Sequence, residues 1–474
     1  MKDNEQNSSA TINRRNFLKS TTGLALAGAA SVIFSGAAQA QESSLNWHHL
    51  GNKNNRKNDR GLWKKVRNEF ILDKKSVYMN IGTTGSMPKA VLREYNINNK
   101  IVATSPWDMQ DKFAQWPYLS EMVKTIAPGF GADNHEIILS RNTTDGMCTI
   151  LNGLNFQDGD VILTTHHEHV AANSPLNLLT QRYGVEVVYL EIPVYTGNEP
   201  ISAQDFVDVF AQAVAEYGNR VRLITFSHIT YKTGTALPAK RICQEVAIPN
   251  NIPTLIDGAH TIGMFNLDFH DIDCDFYAGS GHKWQCGAGA TGILYMRDNG
   301  TRLQQYWPDR ENPLWFINSS LAHAPELGTQ LQLQYIGNDN YPAKQALTDA
   351  CQMWDQLGRD IIETRILALS QLCKELLAEA FPSAHIYSPN IPGLASGLTT
   401  FNPFFDVQDG DILTLFRDRL REEYGYIIRS TDFKVKVTDV VDTHALRIST
   451  HLFHNEQDVI GLVAAMQYLH QEML

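Results

Sequence analysis

Asp257-Gly258-Ala259-His260 closes the apolar run Ile252-Pro253-Thr254-Leu255-Ile256, and Ser280-Gly281-His282-Lys283 closes Asp275-Phe276-Tyr277-Ala278-Gly279. An acid at one strand end and a lysine at a neighbouring one form the pair that pyridoxal 5'-phosphate chemistry needs. The lysine amine joins the cofactor aldehyde as a Schiff base, and the aspartate keeps the pyridine nitrogen protonated so that the ring accepts electrons. Taken singly, each would read as a loop-edge carboxylate or a solvated lysine. Together, with Ser280 and His282 beside the lysine, they read as chemistry.

A phosphate needs N–H donors and hydroxyls. Ser140-Arg141-Asn142-Thr143-Thr144-Asp145-Gly146 follows the apolar run at 137–139 and opens a helical stretch, and a helix N-terminus is an anion site. Plain N-capping by Asn142 or Thr143 is the other reading of this turn. Ser280 and His282 could add donors. In Thr165-His166-His167-Glu168-His169, His169 ends another strand and could stack on a pyridine ring. The three histidines and the glutamate also admit a metal reading, but their positions fit no standard zinc spacing.

Between about residues 77 and 296 the pattern is strand, loop, helix, repeated. Strands are expected at 136–139, 161–164, 185–190, 222–227, 254–256, 275–278 and 292–296, with helices between them, as at Ala203–Tyr217. Near-continuous apolar runs of this kind belong to strands covered on both faces. The alternation implies an α/β domain with a largely parallel seven-stranded sheet, whose ligands sit beyond the carboxyl ends of the strands. After about Tyr341 the texture changes. A long helical stretch at 343–380, strand-like pieces at 397–401, 426–429 and 445–448, and a last helix at 455–472 suggest a smaller α+β domain. The expected division is 1–40 signal, 41–76 arm and short helix (62–72), 77–341 large domain and 342–474 small domain.

The 474 residues suffice for two or three domains, and 43% hydrophobic with 19% charged residues is ordinary for a soluble globular protein. A net charge of −11, with no basic run in the globular part, excludes a general nucleic-acid binder and favours a small-molecule substrate. At the amino terminus, Asn13-Arg14-Arg15-Asn16-Phe17-Leu18-Lys19 precedes an uncharged, mildly apolar stretch that ends Ala38-Gln39-Ala40. This is the layout of a twin-arginine export signal with a small-x-small cleavage site. A membrane anchor is the competing reading, disfavoured by the low hydrophobicity. Expected therefore are the export machinery as a partner, a periplasmic mature protein starting near Gln41, and no stable membrane anchor. None of the six cysteines forms a C-x-x-C pair, and folding before export makes buried free thiols the expectation.

The ordered set of the Asn-Thr-Thr turn, Glu168-His169, Ser227-His228, Asp257-Gly258-Ala259-His260, Ser280-Gly281-His282-Lys283 and Arg447-Ile448-Ser449 resembles the class V, fold-type I pyridoxal-phosphate enzymes. This group contains cysteine desulfurases and isopenicillin N epimerase-like proteins. The similarity runs from about Val77 to the carboxyl terminus. It leans towards the epimerase-like branch and towards exported relatives that tailor the siderophore pyoverdine. The resemblance implies pyridoxal 5'-phosphate on Lys283, Asp257 on the pyridine nitrogen and His169 stacked on the ring, with His260 also in the cofactor site. It implies phosphate contacts from Thr143, Thr144, Ser280 and His282, and from Thr329 across a homodimer. Arg447 would clamp a substrate carboxylate; a surface salt bridge is its bland alternative.

Two departures bear on the reaction. Desulfurases carry a cysteine shortly before the carboxylate-binding arginine; here residues 429–436 read Arg-Ser-Thr-Asp-Phe-Lys-Val-Lys, and no cysteine follows Cys373. Many relatives place Asn near the cofactor's phenolic oxygen; here Ile229-Thr230-Tyr231 stands there, leaving His228, Thr230 and Tyr231 as candidates. The expected activity is aminotransferase-like, on an amino acid or amine-bearing metabolite. The alternatives are an epimerase, a cysteine-independent β-lyase, or a protein of this fold that binds without turnover.

Overall fold

A computed structural model of the chain describes residues 45–50, 60–109, 118–197, 200–404 and 408–474. The export signal expected at 1–40 lies outside the described residues. Among the described residues no helix is long and apolar enough to cross a membrane.

After a two-residue strand β1 (Val77–Tyr78), seven strands form the central sheet: β2 (Ile137–Ser140), β3 (Val161–Thr165), β4 (Glu186–Leu190), β5 (Val221–Ser227), β6 (Thr254–Gly258), β7 (Phe276–Ser280) and β8 (Gly292–Met296). Their order is β2-β8-β7-β6-β5-β3-β4. The run from β7 to β4 is parallel, and β8 alone runs against its neighbours β2 and β7. Alternation explains the burial on both faces. Leu163, Ile224, Ile256 and Tyr277 enter one core, whereas Ile162, Leu223, Leu255 and Phe276 enter the other. The expected α/β class and seven-stranded sheet are what the chain forms, with strand boundaries shifted by at most two residues.

A second sheet comprises β9 (His385–Ile386), β10 (Leu398–Asn402), β12 (Arg429–Phe433) and β13 (Thr443–Ser449), antiparallel in the order β12-β13-β10-β9. Helices Arg359–Ala380, Gly410–Tyr424 and Glu456–Met473 share its core through Leu369, Phe416, Leu462 and Ile448. β11 (Tyr426–Ile427) pairs with β1, and Met79 is buried in this same core, so the segment at 77–79 joins the two sheets' territories.

Two helices differ from the sequence reading. The stretch expected as one helix at 343–380 is two, Tyr341–Leu357 and Arg359–Ala380, because Gly358 takes φ +94°, a conformation closed to residues with a Cβ in regular helix. The helix expected at 62–72 spans Arg60–Asn68, and Phe70 bridges to Pro88 instead.

Candidate active site

The carboxyl ends of β2, β3, β6 and β7 converge on a cleft of about 210 Å3 lined by Thr143, Thr144, His169, Asp257, Ser280, His282 and Lys283. Parallel strands bring these ends to one edge of the sheet, and the helix after β2 presents its N-terminus there.

That helix, Thr143–Gly153, is capped by Asn142, whose side chain accepts from the Asp145 N–H at 2.8 Å. The cap and an anion site coexist, since the remaining first-turn N–H groups point out along the helix axis. Gly146 lets the helix press on β7: a Cβ there would stand 2.9 Å from that of Ala278. Thr143 Oγ1 and Ser280 Oγ lie 2.7 Å apart. Thr144 is exposed to the cleft, and the buried Nδ1 of His282 has no partner. Hydroxyls, helix N–H groups and an orphaned ring nitrogen are what a bound phosphate would satisfy.

Lys283 stands in the turn after β7, which ends at Ser280. The loop at 80–86 holds its backbone: the Gly85 N–H donates to the His282 carbonyl at 2.8 Å, and a Cβ on Gly85 would come within 2.0 Å of the Lys283 carbonyl. Burial lowers the ammonium's pKa to about 8; Arg447 and Arg429 push the same way, and Asp257 opposes them. The lowered pKa enlarges the neutral, nucleophilic fraction of this amine near physiological pH relative to an ordinary lysine.

Asp257 lies near the end of β6, paired in register with Ser227 of β5 and Ala278 of β7. Its Oδ1 accepts from the Ala259 N–H at 2.8 Å. Burial raises its pKa, against the Ala259 bond and the charge of Lys283. A buried carboxylate of this kind is stabilised by a cation brought against it, and a protonated pyridine nitrogen is such a cation.

His169 caps the helix Val170–Tyr183, its Nδ1 accepting from the Ala171 N–H at 3.1 Å. Its ring meets Tyr231 edge-on, with centroids 4.8 Å apart. Burial, with Lys283 and Arg429 nearby, lowers its pKa to about 4, so the imidazole is neutral and suited to stacking. The groups of the metal reading are engaged elsewhere, although the rings of His166 and His167 lie 4.1 Å apart. His166 turns to the Leu190 carbonyl, His167 to the Lys434 carbonyl and Glu168 to Ser227.

Glu168 is a contributor that the sequence motif contained without a role. It is buried, with Ser227 Oγ donating at 2.6 Å, the Ser227 N–H at 3.1 Å and Thr165 Oγ1 at 2.5 Å. Burial raises its pKa to about 7, with Asp257 adding repulsion. It ties β3 to β5 directly beside Asp257.

Arg447, on β13, is 1% exposed. Nη1 donates to the Tyr231 carbonyl at 2.8 Å, while Nε and Nη2 are buried without partners. A surface salt bridge is excluded, and a half-satisfied guanidinium in the interior calls for an acceptor such as a carboxylate.

Two other expected residues lie outside the cofactor cleft. His260 is buried behind it, its Nδ1 accepting from Trp284 Nε1 at 3.2 Å. It does not line the cleft and packs towards Gly82 and Arg447, within electrostatic reach of Lys283. Thr329 begins a short helix and donates to the Asn299 carbonyl at 3.2 Å, away from the cleft of its own chain. Of the phenolic-oxygen candidates, His228 is engaged with Tyr277 and Thr230 with Thr233, whereas Tyr231 is half-buried against His169.

The profile of the aminotransferase class-V family matches residues 77–462. Isopenicillin N epimerase of Streptomyces clavuligerus is 25% identical over 415 residues, 86% of this chain and 98% of that protein. A cysteine desulfurase of Pectobacterium atrosepticum is 26% identical over 412 residues, 83% of this chain and 93% of that one. Among solved structures, a cysteine desulfurase from Escherichia coli has a TM-score of 0.68 at 22% identity, covering 87% of this chain and 99% of its own. A C-DES variant with glycine covalently linked to its pyridoxal-phosphate cofactor has a TM-score of 0.66 at 22% identity, covering 86% and 99%. The match over most of the chain, on a cleft with a phosphate cup, a buried acid and a partly neutral lysine, makes this protein a member of the aminotransferase class-V family with pyridoxal 5'-phosphate as its cofactor.

Proposed function

We propose that the protein is an exported, aminotransferase-like enzyme that acts on the amino group and Cα of an amino acid or an amine-bearing metabolite, a siderophore among the candidates. The observation that carries this reading is Arg447, a buried guanidinium with two unpaired nitrogens, acting electrostatically on Lys283. When bound, pyridoxal phosphate supplies an electrophilic aldehyde and an electron-withdrawing ring. The chain's own groups then divide the work. Thr143, Thr144, Ser280 and His282 would hold the phosphate, Asp257 would keep the pyridine nitrogen protonated, and His169 would pack on the ring. Arg447 would fix the substrate carboxylate. Lys283 would move the proton at Cα.

The persulfide route lacks a thiol. Among the described residues all six cysteines are free and five are buried, and burial pushes Cys243, Cys286, Cys351 and Cys373 up to about 12. Epimerisation is the second reading, favoured by the similarity to isopenicillin N epimerases. It requires another acid/base, and Tyr231, packed on His169, carries a hydroxyl that would serve. Incubating the holoprotein with amine-bearing candidates in deuterated water separates the two. Keto product supports the proposal, and Cα deuteration with inversion and no keto product supports epimerisation.

The twin arginines at Arg14 and Arg15 support export. A precursor with both changed to lysine should stay in the cytoplasm, and normal periplasmic yield would contradict the assignment. We also propose a homodimer, since Thr329 could serve a phosphate only in a neighbouring chain.

A further inference from the structure

Arg429 and Arg447 face one another in register across the antiparallel pair β12 and β13. Directly opposed residues leave the same face of a sheet, and like charges so placed repel. Both guanidinia border one loop. Arg447 Nη2 stands 3.0 Å from where a Cβ on Gly82 would be, and Arg429 Nη1 donates to the Thr83 hydroxyl at 3.3 Å. Arg447 is buried and Arg429 is exposed, so the pair runs from the interior to the surface, and the charge of each bears on Lys283 although neither lines the cofactor cleft itself. Among the described residues neither has an ion-pair partner. A third cation, Lys232, donates to the Asp432 carbonyl at 2.8 Å and lies 4.0 Å from that residue's carboxylate. The acid of the cleft, Asp257, faces Lys283, and the positive field of these groups bears on His169 and His260.

One substrate carboxylate would neutralise Arg447 and leave the exposed Arg429 uncompensated. We infer that the substrate carries a second carboxylate, which Arg429 takes at the surface while Arg447 takes the one next to the amine. The substrate class is an amino dicarboxylate, or a larger amine with a carboxylate on its side chain, and Arg429 is a specificity-determining residue. This rests on the proposed function in one respect, that the reacting amine enters at Lys283. The planar fork of an arginine suits such a contact, and its place at the surface suits a side chain that extends outward.

The test is a titration of the holoprotein with L-aspartate, L-glutamate and L-2-aminoadipate, and with L-asparagine and L-glutamine, following the cofactor absorption band. At least one diacid should bind about tenfold or more tightly than its uncharged amide or, for aminoadipate, than L-norleucine. R429Q should bring that ratio to about twofold or less, and R429K should restore part of it. Acids and uncharged analogues binding equally in the native protein would overturn the inference, as would a preference that survives R429Q. A band that no diacid perturbs would overturn it alone. A protein that shows no band on cofactor loading would defeat the proposed function as well, so the two failures are distinguishable.

Discussion

Thr143 Oγ1 and Ser280 Oγ lie 2.7 Å apart, joining the first turn of the helix after β2 to the last residue of β7. This bond locks the phosphate cup to the strand that delivers Lys283. T143V and S280A should each weaken pyridoxal-phosphate affinity by roughly tenfold, the scale of one hydrogen bond to a charged group. Because the two hydroxyls share one bond, the double variant should lose less than the product of the single losses. Equilibrium binding to the apoprotein measures this, and full additivity would mean the hydroxyls act apart.

The proton affinity of Lys283 is set by its neighbours as well as by burial. In the apoprotein D257N should lower the lysine's pKa below about 8, because Asp257 favours the ammonium, and R447Q should raise it, because Arg447 disfavours it. The pH dependence of acylation, mapped to the Lys283 peptide, reads both shifts. Shifts of the same sign in the two variants would contradict this account.

Much of this arrangement was legible in the sequence because apolar runs mark buried parallel strands, and the residues just after them fall at one sheet edge. Asp257, Lys283, Ser280 and Thr143 follow from that rule alone. His260 misled because its place after Asp257 suggests the cleft, whereas its ring turns back to Trp284. Arg429 escaped notice because its meaning depends on the register that sets it opposite Arg447, a long-range fact. The two-residue strands β1, β9 and β11 carry no periodic signal at all. Gly358 could have announced the helix break, but glycine within a helical pattern is also tolerated.

Glu168 gives the fold a pH signature opposite to that of most acids. Its pKa is raised from 4.5 to about 7 by burial, so the folded state keeps a proton that the unfolded state releases. The corresponding stability is present below about pH 4.5 and is lost as pH rises through about 7. E168Q, a neutral mimic, should flatten the fall in thermal stability over that window. An unchanged pH profile in E168Q would show that Glu168 is ionised throughout.

Arg447 should govern substrate binding and leave the cofactor alone. R447A should weaken binding of an amino acid by about tenfold to a hundredfold, while its methyl ester, lacking the charge, should be far less affected. R447K should rescue poorly, since an ammonium cannot reproduce the fork. Equal losses for acid, ester and cofactor would mean that Arg447 serves only packing.

The covalent role of Lys283 is the claim on which everything else depends. Borohydride reduction of the loaded protein, followed by peptide mapping, tests it most directly. The expected result is a single phosphopyridoxyl-bearing peptide with the label on Lys283, and no label in K283A. A label on another lysine, or its persistence in K283A, would contradict the account.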